Sequence, residues 1–354
     1  MNKKIILVDT TLRDGLQSPG IEATVEDRIQ ITGLLDSLGI DEIEIGIPAM
    51  GEQECSCIRK CARRCSAALV SVWCRGREDD LYTAARCEVP AIHLSFPASP
   101  AHHRLIGTDK QVLLDSVRSL VEKASKLFDS VRVGAQDATR ADLDFLCRLF
   151  ETARDAGATR ARIADTVGLA APYQVAELMR RTSQAGIPIE FHGHNDLGMA
   201  TANSLTAVEH GAAALSCTLL GIGERAGNTA LEQIAMALTM HGDYQTGIIT
   251  QHLHNTAQAV AKKLSFGIAP DKPIVGSRVF THESGIHCHG MLKDPSSFQP
   301  FDAALVGSKT RFVVGSHSGG ASVRAVFEQH GIHLSKAQAR SILPALRDHK
   351  DSQR

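Results

Sequence analysis

The sequence predicts an α/β protein: an eight-stranded (β/α)8 TIM barrel with a mostly helical C-terminal appendage and a flap. Three observations predict it. Short apolar, β-branched runs alternate eight times with amphipathic stretches, the pattern of a parallel sheet with helical crossovers. Polar and glycine-rich residues collect just after each run, which is the rim where such barrels place their chemistry. The 354 residues exceed the ~250 of a barrel, leaving chain for an appendage.

The expected strands are 5–9, 42–46, 68–73, 91–96, 130–134, 160–164, 187–192 and 214–219. Helical patterns fill the gaps at 25–38, 52–65, 79–85, 109–127, 141–156, 173–185, 198–210 and 228–240. The first strand leads into Thr10-Thr11-Leu12-Arg13-Asp14-Gly15, the second into Ile47-Pro48-Ala49 and the third into Cys74-Arg75. After the fourth come Pro97-Ala98-Ser99 and the cluster His102-His103-Arg104; Gln136-Asp137 follows the fifth and Asp165-Thr166-Val167-Gly168 the sixth. The seventh closes with His192-Gly193-His194-Asn195-Asp196, the eighth with a turn from Gly221 to Asn228. A scaffold without function has no physical reason to sort its polar residues to one rim.

The alternation stops near residue 245, which sets the expected organisation: a catalytic barrel at 1–245, a linker and flap at 246–316, and a small helical unit at 317–354. The flap contains His282, His287 and His289 among glycines, too polar for a core.

Composition narrows the function classes. Hydrophobic residues at 43% and charged residues at 22% describe a globular enzyme-sized core, and a net charge of -1 provides no field to gather nucleic acid. No apolar run of about 18 residues suggests a membrane span, and no leader pattern stands out, so a cytoplasmic protein is expected. Nine cysteines without a regular framework fit reduced thiols. Cys55, Cys57, Cys61 and Cys65 read as a helix stripe of small core residues, with metal or redox chemistry as the alternative.

The chemistry starts from His192 and His194. Two residues apart in a strand they point to one side, so their imidazoles converge. With Asp14 from the first strand end they form a two-imidazole, one-carboxylate set with open positions, suited to a catalytic divalent ion. Asn228 is either a further oxygen ligand or a helix cap. Arg13 offers a fixed charge for a developing oxyanion, or pairs with a barrel carboxylate such as Glu44. An ion of this kind polarises a chelated carbonyl, for which a 2-oxo acid is a natural ligand; Thr166 is either a hydrogen-bond donor to its carboxylate or a turn residue after the strand.

At these residues the chain resembles the acyltransferase family of isopropylmalate, citramalate and homocitrate synthases, and most of all the short homocitrate synthases of nitrogen-fixing bacteria. The motifs are Asp9 to Gly15, Ala164 to Gly168, His192 to Gly198, Gly221 to Asn228 and His282 to His287, in family order across almost the whole chain. The resemblance implies binding of Mg, Mn or Zn by Asp14, His192 and His194, and a Claisen condensation of acetyl-CoA, the co-substrate, with a 2-oxo acid. It implies a domain-swapped homodimer in which His287 serves as acid/base, and a role for Arg13 on enolate or alkoxide charge. It assigns the far carboxylate of 2-oxoglutarate to basic residues, here Arg132 with His102 or His103; Arg75 joins them as a further substrate-binding candidate. Homocitrate is therefore the expected product. Other 2-oxo acids (phosphonopyruvate, oxaloacetate, pyruvate, 2-oxoisovalerate) and a hydroxymethylglutaryl-CoA-lyase-like reaction are the alternatives. Three departures stand out: Leu16 where the family has Glu, Ser316 where it has Lys, and Gln136 where a glutamate partners the catalytic histidine.

Overall fold

A computed structural model describes residues 3–351. Eight parallel strands close into a barrel in sequence order: β1 (Ile6–Asp9), β2 (Glu42–Glu44), β3 (Leu69–Arg75), β4 (Ala91–Pro97), β5 (Ser130–Gln136), β6 (Arg160–Asp165), β7 (Ile189–Gly193) and β8 (Ala214–Cys217). The eighth pairs back onto the first, Ile6 with Ala214 through Asp9 with Cys217. The eight-strand expectation is met. Strands β3 and β5 run two residues further than the apolar pattern ends, because inward positions near the rim are polar.

The crossover helices are α1 (Val25–Leu38), α2 (Glu52–Arg64), α3 (Glu78–Ala85), α4 (Lys110–Ala124), α5 (Leu143–Asp155), α6 (Pro172–Thr182), α7 (Ala200–Glu209) and α8 (Leu231–His241). Local chemistry sets their ends. Thr24 and Asp27 form a reciprocal capping box at the start of α1, and Gly39 ends it at φ 88°. A Cβ on Gly39 would lie 2.1 Å from the Gly247 carbonyl oxygen, so only glycine admits that crossing. Asp109 and Asp142 cap α4 and α5. A short helix over Pro100–Ile106, absent from the sequence pattern, carries His102 and His103.

The barrel interior departs from the branched apolar filling usual for this fold. On β2, Ile43 faces the helices while Glu42 and Glu44 face inward, each fully buried or nearly so. Glu42 pairs with Arg132 (2.9 Å) and Arg160 (2.5 Å), and Glu190 with Arg160 (2.7 Å) and Arg162 (2.6 Å). Glu44 meets Arg162 at 2.8 Å and Arg13 at 2.5 Å. Removing one partner of such a buried pair costs about 3–5 kcal/mol, since the other charge is left in low dielectric.

The chain divides into two compact units, Met1–Ile249 with Ala259–Gly267 and Thr250–Gln258 with Ile268–Arg354. In the second, Thr281–His282 pairs in parallel with Arg311–Phe312, and helices span Gly285–Met291, Gly320–Gln329 and Lys336–Asp351. The segment read as a flap is thus a short strand and a helix whose Cys288 and Met291 are buried. The thiols of Cys55, Cys57 and Cys61 are buried in α2 and Cys65 is half-buried, as a core stripe requires.

Candidate metal centre and active site

The rim expectation can be followed residue by residue. Successive inward positions on a strand are two residues apart, so β6 and its extension present Arg160, Arg162, Ala164 and Thr166 in rising layers, and β7 presents Glu190, His192 and His194. Register sets Gly134 beside Arg162, and Arg132 beside Arg160 one layer lower. A cavity of about 250 Å³ opens at the rim end of this stack, lined among others by Arg13, Asp14, Gln136, Thr166, His192 and His194.

Asp14, His192 and His194 are drawn together there, all three buried. The Asp14 Oδ2 atom is 3.1 Å from His192 Nε2 and 3.6 Å from His194 Nε2, and the two Nε2 atoms are 3.2 Å apart. Three ligands at ~2.1 Å from one divalent ion, at right angles, stand about 3 Å from one another, so the triangle has the size of a metal-ligand face. The Nδ1 atoms of both histidines are buried without a partner, so a neutral imidazole with its proton on Nδ1 turns a bare Nε2 lone pair toward Asp14, and one with its proton on Nε2 leaves Nδ1 bare. Asp14 Oδ2 is correspondingly buried without a hydrogen bond. A cation resolves that conflict.

The electrostatics point the same way. Burial would raise the Asp14 carboxyl, but Arg13 and the two imidazoles outweigh it and hold it well below the usual carboxylate range. Burial, reinforced by His192, pushes the His194 imidazole down to about 4. The group is therefore an anion beside a neutral imidazole at pH 7, the protonation state that metal binding needs.

Around this core, Arg13 takes both roles considered for it: its Nε pairs with Glu44 at 2.5 Å while Nη1 lies 3.5 Å from Asp14 Oδ2. Asn228 bridges the backbone of His194, and its Nδ2 donates to the Ile222 carbonyl (3.1 Å) while Oδ1 is buried with no partner. It does not cap α8, whose N-cap is Ala230. Thr166 Oγ1 accepts from the Asp137 N–H (2.8 Å), leaving its own proton to donate into the cavity. Arg225 forks onto Asp196 (2.7 and 2.9 Å) and donates to the Thr166 carbonyl, stitching three rim loops together.

Three expected substrate contacts are not brought to the cavity. Arg132 is tied to Glu42 and does not line it. His103 faces the Pro97 carbonyl (3.2 Å) and meets Phe145 edge-on at 5.2 Å; Arg75 forks onto Asp80 (2.8 and 2.7 Å). Gln136 does line the cavity. His287 belongs to the second unit, where its exposed ring stacks on Phe298 at 4.3 Å.

The cavity also holds residues that sequence reasoning missed, notably Trp73, His93, Ser95 and Arg162. Parity was the available signal: Arg162 shares the inward face of Thr166, and Ser95 that of His93.

Comparison with known proteins adds the following. The HMGL-like family model matches residues 4–260, and the model described as homocitrate synthase post-HMGL domain-like matches residues 274–354. A 2-isopropylmalate synthase 2 of Caldanaerobacter subterraneus subsp. tengcongensis is 40% identical, over 98% of this chain and 91% of its own. Homocitrate synthase 1 of Nostoc sp. is 39% identical, over 97% and 92%. The 2-phosphonomethylmalate synthase of Streptomyces rubellomurinus is 38% identical, over 94% and 90%. Among solved structures, a hydroxymethylglutaryl-CoA lyase from Pseudomonas aeruginosa superposes with a TM-score of 0.67, covering 75% of this chain and 95% of its own at 20% identity, a likeness of fold.

Proposed function

The chain belongs to the HMGL-like family and is an acyl-transferring enzyme, and from that premise we propose that it condenses acetyl-CoA with an anionic 2-oxo acid, 2-oxoglutarate first, releasing CoA. The observation that carries this reading is the triangle of Asp14, His192 and His194 in a cavity whose deeper lining includes the polar side chains of Arg162, His93 and Ser95. An isopropyl side chain would strand Arg162, His93 and Ser95 without partners, and an unpaired buried polar group is costly. A second acidic group suits them.

Asp14, His192 and His194 are the residues that would hold a divalent ion, with Asn228, bridged to the His194 backbone and with an unpartnered Oδ1, as a further candidate. Such an ion would supply Lewis acidity at the keto group of the acceptor. Thr166 donates a hydrogen bond to the acceptor's 1-carboxylate. Arg13, fixed by Glu44, offers positive charge where the oxyanion develops. Gln136 can hydrogen-bond and orient but cannot accept a proton at neutral pH, so the proton from the acetyl methyl is assigned to His287, reaching the site across a homodimer. Such a dimer would be cytoplasmic, in keeping with nine free thiols.

The test is thiol release from acetyl-CoA over a panel of 2-oxo acids with added Mg or Mn. Release with 2-oxoglutarate above all others is expected. No release with any acid would refute the condensation, and acetyl-CoA formation from a hydroxyacyl-CoA would establish a lyase instead.

A further inference from the structure

Two buried polar side chains flank Gly134 and face the cavity without being used by the chemistry above. Arg162, on β6, binds Glu44 through Nη2 (2.8 Å) and Glu190 through Nε (2.6 Å), while Nη1 has no partner among the described residues. His93, on β4, is 1% exposed; its Nδ1 is buried without a partner and none is seen for Nε2. Both line the cavity. The gap between them exists because residue 134 lacks a side chain: a Cβ there would lie 2.3 Å from His93 Nε2 and 3.5 Å from Ser95 Oγ. Gly134 has ordinary backbone angles, so its role is space and not conformation.

Depth fits as well. Arg162 pairs in register with Glu190, two residues below His192 on the same face of β7. That step is about 6.6 Å along the strand. A ligand chelated at the level of His192 therefore points its far end down toward Arg162, whereas Arg132, in register with His93 on one side and Arg160 on the other, is tied to Glu42 and does not line the cavity.

Charge supplies a third, independent argument. The buried ion pairs that line or floor the cavity comprise Arg13, Arg132, Arg160 and Arg162 against Asp14, Glu42, Glu44 and Glu190, four of each sign. They cancel. A divalent ion at Asp14 leaves the loaded site two charges positive, which a dianion neutralises and a monoanion does not.

We propose that Arg162, with His93 across the Gly134 gap, is the subsite for the far anionic group of a dicarboxylic 2-oxo acid, so that Arg162 and not Arg132 sets the preference for a dianionic acceptor. This rests on the condensing reaction proposed above, since it places the near end of that acid at Asp14, His192 and His194. The fork of Arg162 presents one uncommitted N–H edge to a carboxylate and His93 offers a neutral N–H donor. Arg162 thereby bridges the structural pairs below it and the ligand above it.

Trp73, the single tryptophan of the sequence, lines the same cavity and reports binding without turnover. The experiment titrates 2-oxoglutarate and 2-oxobutyrate into Mg-loaded wild type, R162Q, R162K and R132K, following Trp73 fluorescence. Wild type should bind 2-oxoglutarate more tightly than 2-oxobutyrate. In R162Q the Kd for 2-oxoglutarate should rise about 10- to 100-fold, as for loss of a charged hydrogen bond, while 2-oxobutyrate changes less than threefold. R162K keeps the charge for the floor pairs but loses the fork; it should show the same selective loss in smaller degree, and it carries the test if R162Q does not fold. R132K should keep the wild-type preference.

Equal losses for both acids in the Arg162 variants, or loss of preference in R132K instead, would overturn the subsite and leave the condensation standing. Failure of wild type to bind either acid would strike the condensation itself.

Discussion

At the floor of the barrel, Glu42 and Glu190 each meet two arginines within 2.9 Å, and every carboxylate has its counter-charge. Above them, at the rim, Asp14 faces two imidazoles at 3.1 and 3.6 Å and its Oδ2 lacks a hydrogen bond. Both regions are buried, and both mix acids with nitrogen bases. The floor is closed in charge: its carboxylates and guanidiniums neutralise one another, although Arg160 Nε, Arg162 Nε and Glu190 Oε2 meet as ion pairs without hydrogen-bond geometry. The rim is open: its three ligand atoms converge on a point that none of them occupies, the arrangement expected where a ligand supplies the missing partner. Arg13 and Arg162 join the two regions through Glu44.

The largest effect that would break this contrast is at the rim. His192→Ala should cut turnover by about a thousandfold or more, with loss of tight metal binding, yet leave the melting temperature of the metal-free protein nearly unchanged. Thiol release, calorimetric metal titration and a thermal melt check it. Full activity after metal stripping and readdition would remove His192 from the site.

The floor should respond the opposite way. Glu190→Gln leaves Arg160 and Arg162 short of a counter-charge and should cost about 3–5 kcal/mol of stability. Urea denaturation measures this. A loss below ~1 kcal/mol would mean that the floor is wetter than its burial suggests.

Much of this contrast was legible in the sequence at the rim and little of it at the floor. The eight strands announced themselves because outward positions such as Ile43, Val133, Ile163 and Phe191 are apolar and helices separate them. The rim was legible because His192 and His194 share parity, and because Asp14 sits in a glycine-bounded turn. The floor was not: Glu42, Glu44, Arg160, Arg162 and Glu190 interrupt apolar runs, and their neutralisation is made between strands up to 118 residues apart. Arg132 illustrates the gap. Parity turns it inward correctly, but only the folded pairing with Glu42, 90 residues away, tells that it is held out of the cavity lining.

Acidification separates the regions by pH. Burial disfavours the Glu190 carboxylate, but Arg162 and Arg160 outweigh it and hold the group at about 2; Glu44 is likewise held at about 2 by Arg13 and Arg162 against its burial. Both are depressed below the unfolded value near 4.5, so their stabilisation is complete above that pH and is lost as pH falls through about 2. His194, pushed down to about 4 by burial and His192, differs. Between its unfolded value near 6.5 and about 4 the unfolded chain binds the extra proton, so stability falls across that window. Metal-free protein should therefore lose about 1–3 kcal/mol between pH 6.5 and 4. His194→Asn should flatten this window and leave the loss below pH 4.5 intact, as urea titrations at stepped pH will show. An unchanged slope in the variant would mean that His194 is not the titrating group.

The smallest effect concerns β5, the strand that runs through both regions, from Arg132 at the floor past Gly134 to Gln136 at the rim. An amide at 136 neither holds a proton nor raises the basicity of a neighbouring imidazole, whereas a carboxylate does both. If rim chemistry is limited by this amide, Gln136→Glu should raise the rate of thiol release by about tenfold, a modest part of what acid–base assistance supplies. Its stability should barely move, since the side chain faces the cavity and not the floor pairs. An unchanged or lower rate would mean that another group already carries the proton, or that the cavity is tuned to an acceptor whose charge a new carboxylate repels. A dianionic acceptor has that property. The variant should therefore be assayed with both 2-oxoglutarate and 2-oxobutyrate: a fall confined to the dianion places the added charge against the acceptor, and an equal rise for both places it on the proton.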